Sequence, residues 1–342
     1  MLEGWPGEAL LIKLWDTLAD KGIGSLLRPG HERRLGTAKN DVKRDEILII
    51  AQAEKQAEDI KAGRATYIDG KLKHLPPPDS SETESDKSPN PTAMDYIGRA
   101  QDIQISETLR KEANVARAIM IAEDALAEDD TPPTDDNIDD DWLFSWQEGA
   151  ASVSAEELQQ LWGKILAGEL KEPGTFSFRT LMFMKGLSQK EASLISKIAQ
   201  FTISNWIASP FIGVMKPKGI DFRDLIHLQE IGILSGVTSS KTAMTFPSSI
   251  DDKYFSHIRA HDKVLFLHHD DPSKIADIDA CYVTLVGQEV FKLGNFGIDV
   301  EYLTLVAKYF IGVGFDVEMA DAIGVGNNRF SINSTIKITS DS

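Results

Sequence analysis

Residues 153–181 read VSAEELQQLWGKILAGELKEPGTFSFRTL. Ser154-Ala155-Glu156-Glu157 has the form of a capping box: a serine oxygen accepts an amide at the helix start, and a glutamate three positions on returns to the cap amide. Leu158, Leu161, Trp162, Ile165 and Leu166 follow at three- and four-residue spacing, which makes one helix face apolar. Gly168 stands near the end, Pro173-Gly174 is a turn, and Phe176 to Gly186 forms another helix. Ser188-Gln189-Lys190-Glu191 repeats the capping pattern, and Ala192, Leu194, Ile195 and Ile198 continue the packing. Residues 141–206 therefore read as a helical core module anchored by Trp162, Leu161 and Ile165.

Toward the N-terminus the pattern stays helical. Leu10, Leu11, Leu14, Trp15 and Leu18 share one face; Gly22 and Gly24 stop that helix, and Pro29-Gly30 is a turn. Glu32 to Ala62, rich in Ala, Glu, Lys, Gln and Ile, predicts a helix far longer than the average of about 11–12 residues, which points to a coiled-coil-like role. Residues 1–72 are thus a long-helix region. Residues 73–92, with Pro76-Pro77-Pro78 and a run of Ser, Glu and Pro, carry too little apolar content to offset ordering entropy and read as a disordered linker. Residues 93–127 predict a third long helix. An acidic loop at 128–140 follows, with Asp141 or a neighbour capping the next helix.

Toward the C-terminus, 207–342 reads as a mixed α/β domain. A helix at 222–230 ends in Ile231-Gly232-Ile233-Leu234. Strand-like pieces follow at 243–246, 264–268 and 282–284, then helices from Thr284 and Val300, then closing strands at 315–319 and 331–339. The order resembles a winged-helix-like unit with extra strands. The expected class is α+β, mainly α: N-terminal long helices, a central helical bundle and a C-terminal mixed winged-helix-like domain.

Composition bounds the function. The chain has 342 residues, enough for two or three folding units. Fifty-three acids against thirty-six bases give a formal charge of −17, which disfavours broad nucleic-acid binding. A local basic group remains: Arg28, Arg33, Arg34, Lys39, Lys43 and Arg44 could contact nucleic acid or another anion, though a solvated helix face paired with Glu32, Asp41 and Glu46 is the expectation. The single cysteine, Cys281, excludes an intramolecular disulfide framework and is expected as a small core residue. Glu3, Glu8 and Asp16 interrupt the apolar N-terminus, so no signal peptide is read and a cytoplasmic location is expected. Residues 198–215 lack charge, but Pro210 breaks the run, so membrane insertion is not expected.

The text DWLFSW at 141–146, the stretch 153–169 and PGTFSFRTL at 173–181 resemble a bacterial family catalogued as domain of unknown function 2806. Ile23 to Arg34 and the long helix after it are also similar to that family, so the resemblance covers most of the chain. The core helix, proline–glycine turn and following helix are similar in shorter form to the Abi-alpha abortive-infection families. The resemblance implies a phage-defence or prophage-exclusion context and a structural core of Trp142, Leu161, Trp162, Glu169, Pro173, Gly174 and Arg179. It supplies no catalytic residues. Arg179, close in sequence to Glu157, Glu169 and Glu172, is expected to form a bidentate carboxylate pair.

Three chemical constellations stand beside this reading. His257 and His261 are four apart, which on a helix puts both on one face, and His268-His269-Asp270-Asp271 follows a strand-like run. These residues are the candidates for a divalent metal, and so for a metal-dependent hydrolase or nuclease. Adjacent His268 and His269 point apart if extended, and no HExxH spacing occurs, so surface or loop histidines are the default. Glu169-Leu170-Lys171 fits a nuclease-like acid-x-lysine triplet but ends a helix where a strand is wanted. No phosphate-binding Gly-x-x-x-x-Gly-Lys-Ser/Thr motif occurs, and no cofactor is expected. The leading expectation is a non-enzymatic interaction protein that binds a protein partner or further copies of itself; the alternatives are the metal enzyme and a winged-helix-type DNA binder.

Overall fold

The computed structural model describes residues 7–27, 39–68, 71–75, 93–239, 243–324 and 330–339. The chain is α+β and divides into two units, Met1–Lys185 and Gly186–Ser342. The division falls between the two capping-box sequences of the expected 141–206 module, so the second one belongs to the C-terminal unit.

The described part of the N-terminal unit comprises α1 (Glu8–Asp20), α2 (Lys39–Lys61), the hairpin β1 (Ala65–Ile68) and β2 (Lys71–His74), α3 (Ala93–Ala127), α4 (Asp140–Ser152), α5 (Glu156–Lys171) and most of α6 (Phe178–Gly186). On α2 the residues Glu46, Ile50, Ala53, Ala57 and Ile60 are buried. Their alternating four- and three-residue steps make the narrow seam of a helix that packs along another. That partner is α3, which runs antiparallel: Arg117 pairs with Glu54, while Ser106 Oγ donates to Ala57 O at 2.8 Å. The C-terminal half of α3 is the centre of the bundle. Ala113, Ala116, Ala118 and Ala122 are fully buried there, and such short side chains let neighbouring helices approach closely. A Cβ on Gly163 of α5 would come within 2.8 Å of Ala118 O, so glycine is required at that crossing.

The hairpin is a correction to the expected boundaries, since Lys73 and His74 pair with Thr66 and Ala65 rather than opening a linker. Residues 76–92 of that linker lie outside the described residues. The acidic loop is present and is tied down by lysines. Lys13 Nζ donates to Thr134 O at 2.9 Å and Asp136 O at 2.8 Å, and Lys171 meets Asp129 at 2.8 Å.

In the C-terminal unit α7 (Gln189–Ala199) leads to β3 (Trp206–Ala208), a 3-10 segment (Ser209–Lys218), α8 (Phe222–Glu230), β4 (Leu234–Ser235) and β5 (Ala243–Phe246). The hairpin β6 (Tyr254–Ala260) and β7 (Lys263–His269) comes next, then β8 (Ala276–Val283), α9 (Leu285–Phe291), α10 (Val300–Gly312), β9 (Asp316–Gly324) and β10 (Phe330–Lys337). One antiparallel sheet has the order β3-β8-β4, with β5 pairing farther along β8; the other has the order β10-β9-β7-β6. Tyr302 is fully buried under the first sheet, where its hydroxyl accepts the Ala208 N–H at 2.7 Å. The uncharged run 198–215 is accounted for by the end of α7, β3 and the 3-10 segment. Among the described residues no helix is long and apolar enough to cross a membrane.

Candidate functional site

The family-like core is a closed assembly. Asp139 caps α4 by accepting the Trp142 N–H at 2.9 Å. The Trp142 indole N–H donates to Phe176 O at 2.6 Å, and that of Trp146 to Trp162 O at 2.9 Å. Glu169 is buried, and its two carboxylate oxygens accept the N–H groups of Gly174 (2.6 Å) and Phe176 (2.9 Å). A buried carboxylate satisfied by backbone amides is an architectural clamp on the Pro173-Gly174 turn. Trp162 and Ile165 are buried as expected, whereas Leu161 is only partly so.

Two local expectations fail. The first capping box is not made: α5 starts after Ala155 with no side-chain cap, and Ser154 Oγ instead accepts from Asn114 (3.3 Å) and Arg110 (3.2 Å) of α3. Arg179 is exposed and forms no carboxylate pair among the described residues, because Glu169 is already engaged by the turn.

The histidines are spread along one hairpin, with His257 and His268 on one face of the sheet and His269 on the other. His257 lies in β6 and His261 in the two-residue turn between Ala260 and Lys263, not on a helix. The alternation of YFSHIRA builds a strand, and the turn holds His261 at φ 53°. His261 Nε2 lies 3.0 Å from Ala199 O. His268 packs on the Phe255 ring and faces Glu318 at 4.0 Å. His269 packs edge-on against Phe315, and its Nδ1 accepts the Asp271 N–H at 2.9 Å. Asp270 pairs with Lys253 at 3.1 Å. The structure therefore does not bring His257, His261, His268, His269 and Asp270 to one point, and among the described residues no group of three or more such ligands converges. Arg28, Arg33 and Arg34 lie outside the described residues; Lys43 and Arg44 fall in α2, their side chains outside the described part.

A feature that the sequence reading did not single out lies between α7 and α8. The two helices run antiparallel, with Glu191 against His227 at 3.3 Å and the Lys197 ammonium beside Gly219. They border a groove of about 710 Å³ whose wall includes Lys190, Lys197 and Arg223. The groove's carboxylates are occupied by helix ends. Glu191 Oε2 accepts the Ser188 N–H and hydroxyl at 2.9 and 2.6 Å, and Asp224 accepts the Asp221 N–H at 2.8 Å. The Ser188 bonds, followed by His227, hold the Glu191 carboxyl below its usual pKa range. Lys190, Lys197 and Arg223 are exposed and have no carboxylate partner among the described residues. The missed signal was the pairing of two capping motifs, Ser188–Glu191 and Asp221–Asp224, each flanked by bases.

The fold defines an α+β protein with a mainly helical N-terminal unit and a mixed C-terminal unit. Residues 98–307 match the family described as protein of unknown function (DUF2806), and the chain belongs to that family. Neither a curated protein nor a solved structure matches the chain.

Proposed function

We propose that this protein works by binding rather than by catalysis, as an interaction protein of a phage-defence or prophage-exclusion system. In this reading the helical unit is a scaffold for a protein partner or a further copy, and the C-terminal unit is a winged-helix-like recognition module. The observation that carries the proposal is the inward commitment of the core's polar groups. Trp142, Trp146 and Glu169 all bond to backbone within the bundle, which suits a rigid support. The module reading is supported by the succession α7, β3, 3-10 segment, α8, β4 and β8, with β8 lying between the two earlier strands. The defence context is supported by the resemblance of the core helix and its proline–glycine turn to abortive-infection families.

The test is phage challenge of a bacterial host with and without the expressed chain. A fall in plating efficiency for at least one phage of a broad panel is expected. Unchanged plaque counts and unchanged host growth across the panel would overturn the defence reading.

A further inference from the structure

We propose that the groove between α7 and α8 binds the phosphate backbone of a nucleic-acid strand through Lys190, Lys197 and Arg223. The proposal rests on reading the C-terminal unit as a binding module, and it names the ligand class of that module.

The first ground is an excess of positive charge. Three cations border one groove against two carboxylates, Glu191 and Asp224, and none of the three cations has a carboxylate partner among the described residues. The second ground is spacing. Lys190 and Lys197 are seven residues apart on α7, two turns of one face, or about 10 Å along the helix axis. Two cations set apart in this way along one wall can engage successive phosphates of a strand. Arg223 stands on the opposite wall, where its planar fork suits a phosphate oxygen pair. The third ground is the distribution of charge. Residues 186–342 contain 14 bases and 18 acids, so most of the chain's −17 resides in the other unit. A local cationic groove is therefore not overwhelmed, since opposing charges beyond about 8–10 Å are largely screened at physiological salt.

The probes are fluorescein-labelled duplex and single-stranded oligonucleotides of the same length, titrated with the full chain and read by fluorescence anisotropy. Three phosphate contacts predict a fall in affinity of roughly 40-fold for duplex, or roughly 20-fold for single strands, between 50 and 200 mM salt. The stronger of the two arms identifies the form of strand that the groove takes. The combined variant K190Q/K197Q/R223Q is expected to lose at least about tenfold in affinity at low salt, with an unchanged melting temperature. If its melting temperature falls, the three single glutamine variants carry the test, and each is expected to lower the salt slope.

The proposal is overturned if neither oligonucleotide binds, if the variants bind like the parent chain, or if vesicles rich in phosphatidylserine bind while oligonucleotides do not. A chain that protects against phage but binds no oligonucleotide sinks the groove alone. Oligonucleotide binding without protection supports the groove and counts only against the defence reading.

Discussion

Glu169 holds Gly174: one carboxylate oxygen accepts the glycine N–H at 2.6 Å, while the other accepts the Phe176 N–H at 2.9 Å. Gly174 has φ 90°, so the turn is in a conformation that glycine tolerates and other residues resist. Trp142 grips the same segment from the other side through Phe176 O. Glu169→Gln keeps the volume but replaces one acceptor oxygen with a donor facing an amide. The expected loss is about 1.5–3 kcal/mol, the scale of a hydrogen bond to a charged group, read as a lower urea midpoint at unchanged slope. An unchanged midpoint would show that the turn does not need the clamp.

Trp142 and Trp162 allow a matched comparison. Both are buried, but only the Trp142 indole N–H has an acceptor among the described residues. Trp→Phe removes the same atoms at each site. The Trp142→Phe variant also leaves the Phe176 carbonyl without that donor. It should therefore be the less stable of the two by about 1 kcal/mol, the net worth of a hydrogen bond. Equal denaturation midpoints, or the reverse order, would contradict this assignment.

Gly149 tests how tightly the same tryptophan fits. A Cβ there would lie 2.0 Å from the Trp162 ring. Gly149→Ala gains helix propensity of about 1 kcal/mol, but the overlap forces the ring to move at a cost of about 1–3 kcal/mol. A net loss of stability is expected, together with a shift in near-ultraviolet circular dichroism as the indole reorients. A stabilised variant with an unchanged spectrum would show that the contact is loose.

What could be read from the sequence was what local chemistry decides. The helix at 222–230, the strand at 243–246 and the cap at Thr284 follow from propensity, alternation and capping residues close in the chain. Ser154 shows where such reading stops. Its local partner Glu157 was in place, yet Asn114 and Arg110, some forty residues away, take the hydroxyl. The hairpin at 65–74 was missed although Asp69-Gly70 stands between two β-prone runs, a strong turn signal. His257 and His261 matched a helical interval, but alternation on a strand decided their placement. The α7–α8 groove depends on two helices some thirty residues apart meeting side by side, which no local pattern encodes.

Cys281 is fully buried in β8, and desolvation pushes its thiol pKa up to about 11. Alkylation requires the exposed thiolate. Iodoacetamide at pH 8 should leave the native chain unmodified over a time in which the urea-unfolded chain reacts completely, as measured by intact mass. Rapid modification of the native protein would mean that β8 opens readily.

The acidic loop gives a pH prediction with a defined sign. The Lys171 hydrogen bond, followed by that from Thr131, lowers the Asp129 pKa from 3.8 to about 2. A carboxyl whose folded pKa is depressed adds stability above its unfolded value and loses it as pH falls through the folded one. The strap between Asp129 and Lys171 should therefore contribute fully at pH 7 and fade between about pH 4 and pH 2. Asp129→Asn should lower the melting temperature at pH 7, and the gap to the parent chain should close on acidification across that window. Lys171→Met breaks the same bond from the other side, so its gap should close in parallel. A gap that stays constant from pH 7 to pH 2 would mean that packing of the loop, not ionisation of Asp129, supplies the difference.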